Sequence, residues 1–485
     1  MVEVEGGSEG LDEFTLLATQ VVPSERQLKW QQTEFYAFVH FGINTFTDRE
    51  WGTGKENPKL FNPTELDADQ WVSVFKSAGM RGLILTCKHH DGFCLWPSRY
   101  TSHSVASSDW RGGKGDVVRE VSEACRRGGI KFGFYLSPWD RHEPTYGDSD
   151  AYNRFFLGQL RELLTSYGEI FSVWFDGACG EGPNGKRQVY DWEAYYRLIR
   201  ELQPGAVISV CGPDVRWCGN EAGHCRASEW SVVPAVLREA ERTAEKSQKV
   251  DDGTFARRIN TADEDLGSRD AIQGVRDLVW YPAEVNTSIR PGWFYHAAED
   301  DGVRTVDELL RIYYGSVGGN ACLLLNVPPD RRGLIHEADA AVLHELGRVI
   351  RDTFATDLAR HAKAVASHTL DSEHGIENIF DDNPDTYWCP PLGIEQPVIE
   401  VDLGQEVTFD RVVLCEHIRS GQRIENFTVA YRSGDDWVEC YRGTVVGYKR
   451  ICCLDRTNTR YVRVHITSSR GYPTLSRLGF YLEKR

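Results

Sequence analysis

Short apolar runs alternate along this chain with longer stretches in which apolar positions recur every three or four residues. Residues 35–42 (FYAFVHFG) read as a strand, 68–79 as a helix with Trp71, Val72 and Phe75 on one face, and 82–88 (GLILTCK) as the next strand. A helix over 114–128, a strand at 131–137, a helix at 151–168, a strand ending at Asp176, a helix at 190–202 and a strand at 206–211 follow. After an irregular middle, 212–277, come a strand at 278–285, a helix at 305–317, a strand at 322–327 and a long helix at 336–353. Strands alternating with helices over such a length predict an α/β fold, a (β/α)8-like barrel made imperfect by the irregular middle. Beyond Thr353 the pattern changes to short alternating runs (PVIEVDLG, DRVVLCEHI, NFTVAYR, RYVRVHIT) broken by turn residues, which predicts an all-β, jelly-roll-type sandwich. Two domains are therefore expected, 1–355 and 356–485, as the length of 485 residues also requires.

In a parallel α/β sheet the C-terminal strand tips form the ligand edge, so polar residues there come first. The run IFSVWFDG ends in Asp176, followed by Gly177; Trp174 lies two residues before it. Asp176 either points into a cleft or simply starts a turn. His40 follows the first strand, Lys88-His89-His90-Asp91-Gly92-Phe93 the second, and Tyr135 and Asp140 close the third. Adjacent His89 and His90 on an extended segment point to opposite sides, and no HxH or HxxxH pair lies near them, which favours hydrogen-bonding histidines over metal ligands. Hydrolysis of a glycoside takes a second carboxylate. Glu221, in RWCGNEAG just past the fifth strand, is one candidate, and Glu50, in REWG beside Trp51, is its rival; each also reads as a solvated loop residue.

Charge and cysteine content narrow the picture. The net charge of −17 opposes binding to nucleic acid or to anionic lipid. No stretch approaches 18 consecutive apolar residues and the acidic N-terminus lacks a signal-peptide profile, so the chain as written is expected in the cytoplasm; the alternative is a secreted protein with its signal removed. Sequons at Asn286 and Asn426 matter only under that alternative. The 13 cysteines are odd in number, scattered and without CxxC spacing, so reduced, packed thiols are expected.

Eight ordered segments carry a resemblance: VHFGINTF, DREWGTGKENPKLFNPTELDADQW, LTCKHHDGFCLWPSRYTSHSV, GKGDVV, KFGFYLSPWD, VWFDGACGEGPNGK, PDVRWCGNEAG and LLLNVPPDRRG. Together they resemble the α-L-fucosidases of glycoside hydrolase family 29 over about residues 25–355. The resemblance implies an imperfect (β/α)8 catalytic domain that needs no metal or other cofactor and cleaves fucosylated oligosaccharides with retention, through a covalent fucosyl-enzyme. It makes Asp176 the nucleophile, and His40, His89, His90 and Tyr135 the residues that hold fucose hydroxyls; Trp174, Glu50 and Trp51 match further pocket positions. RWCGNEAG resembles the branch acting on α-1,3/1,4-linked, Lewis-type fucose, which makes Glu221 the acid/base, with Cys218 where that branch often has Val. Arg216 is a candidate for orienting a carboxylate. The alternative function is a fucose-binding protein that kept the pocket and lost catalysis. IFDDNPDTYW, FDRVVLCEHI, GQRIENFTV and RYVRVHI resemble a discoidin, or F5/8 type C, module. Such modules are structural, or bind sugar, or hold calcium in the loop matching Asp381 to Asp385.

Overall fold

A computed structural model describes residues 11–251, 253, 255–257 and 264–485. Eight parallel strands form the first domain: β1 Phe35–Val39, β2 Gly82–Lys88, β3 Lys131–Leu136, β4 Ser172–Phe175, β5 Val207–Val210, β6 Arg216–Trp217, β7 Ala283–Ser288 and β8 Ala321–Asn326. They are hydrogen-bonded in the order β5, β4, β3, β2, β1, β8, β7, β6. A parallel bridge between Ser209 and Val215 brings the two ends together, so the barrel is nearly closed.

Period-two alternation decides what each strand residue touches. Phe35, Ala37 and Val39, Leu83 and Leu85, Phe134 and Leu136, Val173 and Phe175, and Leu323 and Leu325 pack outward in one core with the helices. Their neighbours Tyr36, Phe38, Ile84, Tyr135, Trp174, Val207, Cys322 and Leu324 fill the barrel. Four helices begin where an aspartate accepts from the N3 amide: Asp67 before Ala68–Ser77, Asp116 before Val117–Gly128, Asp148 before Ser149–Ser166 and Asp191 before Trp192–Leu202. Expecting a helix from residue 114 therefore overran its cap at Asp116.

The irregular middle departs most from expectation. It holds β6, only two residues long, so Glu221 follows the sixth strand and not the fifth. The strand expected over 278–285 is two strands. Leu278–Trp280 pairs antiparallel with Val232–Pro234, and β7 starts anew after Pro282, whose carbonyl accepts from the Arg216 amide.

The second domain is antiparallel: Lys363–Ala366, Val398–Cys415, Ile424–Ser433, Asp436–Gly443, Arg450–Ser469 and Arg477–Tyr481. Its two longest strands pair along most of their length and shift register at bulges near 402–407 and 409–411. Trp388, Phe409, Phe427, Val464 and Phe480 fill its own core, while Val413, Ile451 and Tyr481 join the barrel's outer core. Glu34, just before β1, receives Tyr448 Oη at 2.9 Å and pairs with Lys449. All 13 cysteines are free thiols. Among the described residues no helix is long and apolar enough to cross a membrane.

Candidate active site

The tips of the strands converge on a cavity lined by His40, Trp51, His89, His90, Tyr135, Trp174, Asp176 and Glu221, together with Trp217, Asn286 and Trp293. Glu50 lines the adjoining cavity that also reaches Trp51, His89 and Trp293.

Asp176 lies one residue past β4. Its Oδ2 accepts from Tyr135 Oη at 2.8 Å and its Oδ1 from the Ala178 amide at 2.9 Å, while the side chain stays 23 % exposed to the cavity. Gly177 follows it in close quarters: a Cβ there would fall 2.3 Å from Ser247 Oγ, which would have to move. Val210, at the tip of β5 on the cavity wall, holds a φ of 73°, a strained conformation for a β-branched residue.

His89 and His90 correct a sequence expectation. β2 ends at Lys88 and the chain turns at once, so both rings reach the same cavity, with centroids 4.2 Å apart. The turn needs Gly92, whose φ is 77° and whose Cβ would meet Asp140 Oδ1 at 2.5 Å. Beneath it a buried Lys88–Asp140 ion pair at 3.0 Å locks the second strand tip to the third, and Asp91 caps the turn through the Phe93 amide at 2.7 Å.

The hydrogen-bond partners fix which ring nitrogen carries each proton. Asn326 Nδ2 donates to Ser288 Oγ and to the Trp293 carbonyl, so its Oδ1 faces His40 and accepts from Nδ1 at 2.8 Å. His40 therefore offers Nε2 as an acceptor. Ser137 Oγ gives its proton to the Trp139 carbonyl at 2.6 Å and so takes one from His90 Nδ1 at 2.7 Å. His90 Nε2 is then a lone pair 3.7 Å from Asp176 Oδ2, so two acceptors face one another. His89 Nδ1 is buried without a partner, which a lone pair tolerates better than an N–H; its proton belongs on Nε2, as a donor. Burial pushes His40 and His90 down to about 4 and His89 well below its ordinary value, so all three are neutral near pH 7.

Glu221 is half-buried and its Oε2 accepts from Trp293 Nε1 at 3.1 Å. Burial, then the negative charge of Asp176, pushes its carboxyl up to about 8, against the pull of the Trp293 hydrogen bond. Near pH 7 it is mostly protonated. Glu50 is differently employed. Its carboxylate accepts from the Trp293 amide at 2.5 Å, the Phe294 amide at 2.9 Å and His296 Nε2 at 3.1 Å, while His296 also meets Asp48 at 2.8 Å and is pushed up to about 9 chiefly by its bond to Glu50. Glu50 thus clamps the loop that carries Trp293. Arg216 reaches neither site carboxylate: it pairs with buried Glu229 at 2.6 Å.

Trp293, Asn326 and Asn286 went unassigned in the sequence. Asn286 is buried, accepting from Trp217 Nε1 at 2.9 Å, which removes it as a glycosylation acceptor. The signal for it was polar residues at every second position of β7 (Glu284, Asn286, Ser288), facing inward. Among the described residues His89, His90 and Asp176 form the one group of three potential metal ligands within 4.8 Å of one another. In the sandwich, Asp381 accepts from the Asn383 amide and Thr386 Oγ1, Asp382 pairs with Arg477 at 3.0 Å, and Asp385 lies 3.5 Å from Arg419.

An acid held protonated by burial, opposite a carboxylate held by a phenol and an amide, among neutral histidines offering both donors and acceptors, suits acid-assisted displacement on a polyol. Comparison with known proteins agrees. Residues 20–353 match the family described as Alpha-L-fucosidase, and 363–478 the F5/8 type C domain. The chain is 43 % identical over 470 residues to alpha-L-fucosidase 1 of Arabidopsis thaliana, covering 96 % of this chain and 88 % of that one. A Ruminococcus gnavus GH29 fucosidase solved in complex with fucose superposes with a TM-score of 0.83 at 33 % identity, covering 96 % and 95 % of the two chains. A glycoside hydrolase 29 family member from an unknown rumen bacterium does so with a TM-score of 0.78 at 38 % identity, covering 96 % and 78 %.

Proposed function

Because the chain belongs to the α-L-fucosidase family, with an F5/8 type C domain behind its barrel, we propose that it is a retaining, exo-acting enzyme releasing α-1,3/1,4-linked L-fucose from Lewis-type glycans. Fucosidases of this family need no cofactor for catalysis, so His89, His90 and Asp176 are read as sugar ligands. One observation carries the mechanism: two carboxyl groups share one cavity, and Glu221 is pushed up to about 8, which suits it to the acid's role and leaves Asp176, held by Tyr135 and the Ala178 amide, as the nucleophile.

In the first step Asp176 attacks the anomeric carbon, forming a C1–Oδ bond while the bond to the leaving oxygen breaks, and Glu221 gives that oxygen its proton. In the second, Glu221 takes a proton from water, the water oxygen bonds to C1, and Asp176 leaves as carboxylate. Tyr135 and the Ala178 amide aim Asp176. His40 accepts from one sugar hydroxyl, His89 donates to another, and a third hydroxyl donates to His90 Nε2. Trp51 and Trp174 supply apolar faces, and Glu50 acts through Trp293. Asp176→Ala with azide should give fucosyl azide of inverted configuration, and Glu221→Ala the retained product. The reverse assignment of products would overturn the roles.

The linkage reading rests on the likeness of RWCGNEAG to the α-1,3/1,4 branch, supported by the adjoining cavity beside Glu50, Trp293 and Glu299, which gives a branch sugar room. It predicts higher kcat/KM on Lewis a or Lewis x trisaccharide than on 2′-fucosyllactose or an aryl fucoside; an order led by either of the last two would overturn the linkage alone. A silent fucose-binding protein is disfavoured, since both carboxyl groups are present and poised.

A further inference from the structure

One buried carboxyl group takes no part in this mechanism. Glu284 points from β7 into the barrel, fully buried, and does not line the cavity. Among the described residues no lysine, arginine or histidine pairs with it. Trp174 Nε1 donates to its Oε1 at 2.7 Å, and Tyr36 Oη meets its Oε2 in a very short contact. Tyr36 Oη in turn accepts from Trp30 Nε1 at 2.9 Å.

Counting protons shows what this carboxyl group accepts. Both indoles can only donate. With Trp30 donating to the Tyr36 oxygen, the tyrosine proton has one partner in reach, Glu284 Oε2. A carboxylate satisfies all three donors, and its bonds from Tyr36 and Trp174 hold it down against the burial that pushes it up to about 7, so that a substantial share is ionised near pH 7. An unpaired buried carboxylate costs stability, and a fold that keeps one keeps it against that cost.

Its position suggests why. Trp174 lies between Glu284 and the sugar site, stacked on Tyr135 with centroids 5.4 Å apart, and Tyr135 is the donor to Asp176. Glycoside cleavage builds positive charge on the sugar ring. We propose that Glu284 is a positioning residue of the fucose site: its carboxylate fixes the Trp174 indole through Nε1 and places a negative charge beneath the cavity floor, where it favours the cationic transition state over the neutral ground state. Being fixed before reaction, such a charge needs no reorganisation. The inference rests on the fucosidase reading and deepens it.

Glu284→Gln keeps the volume and removes the charge, so fucose and a fucose-configured iminosugar, cationic at neutral pH, separate the charge from the scaffold. The variant is expected to bind the iminosugar about tenfold more weakly, to bind fucose within about threefold of the native protein, and to lose kcat more than KM. Equal weakening of both ligands would make Glu284 merely structural and overturn the proposal. If the native protein binds neither, the fucosidase reading fails instead, so the two failures are distinguishable. Should Glu284→Gln not fold, the native protein labelled with 15N-tryptophan gives a second reading, with Trp174 assigned by Trp174→Phe. A strongly downfield, slowly exchanging Trp174 indole proton is expected, and an ordinary indole shift would overturn the charge-assisted bond.

Discussion

The barrel mouth and the sandwich loop at 381–386 are both rich in carboxyl groups, yet they use them in opposite ways. At the loop, Asp381 holds its own backbone and Thr386, while Asp382 and Asp385 lie against arginines. At the mouth, His90 faces Asp176 as one acceptor facing another, and Glu221 has a single donor. Satisfied polar groups stabilise; groups left short of partners inside a cavity wait for a ligand. The contrast locates function better than residue type does, because aspartates are at home in both places.

The largest effect should come from the nucleophile at the mouth. Asp176→Ala is expected to lower kcat/KM by about 10⁴-fold or more on every fucoside, since no other group can form the covalent bond. Glu221→Ala should cost about 10²–10⁴-fold on a trisaccharide but far less on an aryl fucoside with a good leaving group, where protonation matters less. If Glu50→Ala shows that selectivity and Glu221→Ala does not, the acid is misassigned.

Removing the sandwich, residues 356–485, should lower the melting temperature and solubility more than it changes kcat on an aryl fucoside. The barrel would lose Val413, Ile451 and Tyr481 from its outer core and the partners of Glu34. A collapse of kcat with unchanged melting would reverse the division of labour.

A smaller effect concerns pH. Glu221 must be protonated to act as acid, and it is pushed up to about 8, so kcat/KM should fall as pH rises through about 8. Trp293→Phe removes a bond that favours the ionised form, and the alkaline limb should move upward; a downward move would show that Trp293 acts otherwise. For stability the sign is the same. A carboxyl raised in the folded state from its ordinary 4.5 to about 8 contributes stability at low pH that is lost as pH rises through that window. Glu221→Gln should therefore raise the melting temperature by about 2 °C at pH 8 and leave it unchanged near pH 4. The smallest effect should be none: exhaustive chelation is expected to change neither turnover nor melting temperature. Loss of activity would make His89, His90 and Asp176 a metal site, and a calcium-dependent melting shift would reopen the loop at 381–386.

Much of this was legible in the chain. Strands with full apolar runs, such as β2 and β4, and tip residues such as His40, Tyr135 and Asp176 follow from period and position alone. β6 escaped because a two-residue strand has no period, and the double strand around Pro282 because an apolar run conceals a break in direction. The shared aim of His89 and His90 escaped because period-two reasoning fails where a strand ends. Trp293, Asn326 and Glu284 escaped for another reason. Their roles lie in hydrogen bonds to groups between 33 and 286 positions away, which only the closed barrel brings together.

The central claim is that Asp176 forms the covalent bond while Glu221 moves the proton. Incubation with 2-deoxy-2-fluoro-fucosyl fluoride, whose fluorine slows breakdown of the intermediate, followed by proteolysis and mass spectrometry of the peptides, tests it directly. A 2-fluorofucosyl adduct on Asp176, absent from Asp176→Ala and present in Glu221→Ala, is the predicted result; an adduct on Glu221 or Glu50, or rapid turnover of an activated fucoside to inverted product with no adduct, would contradict it.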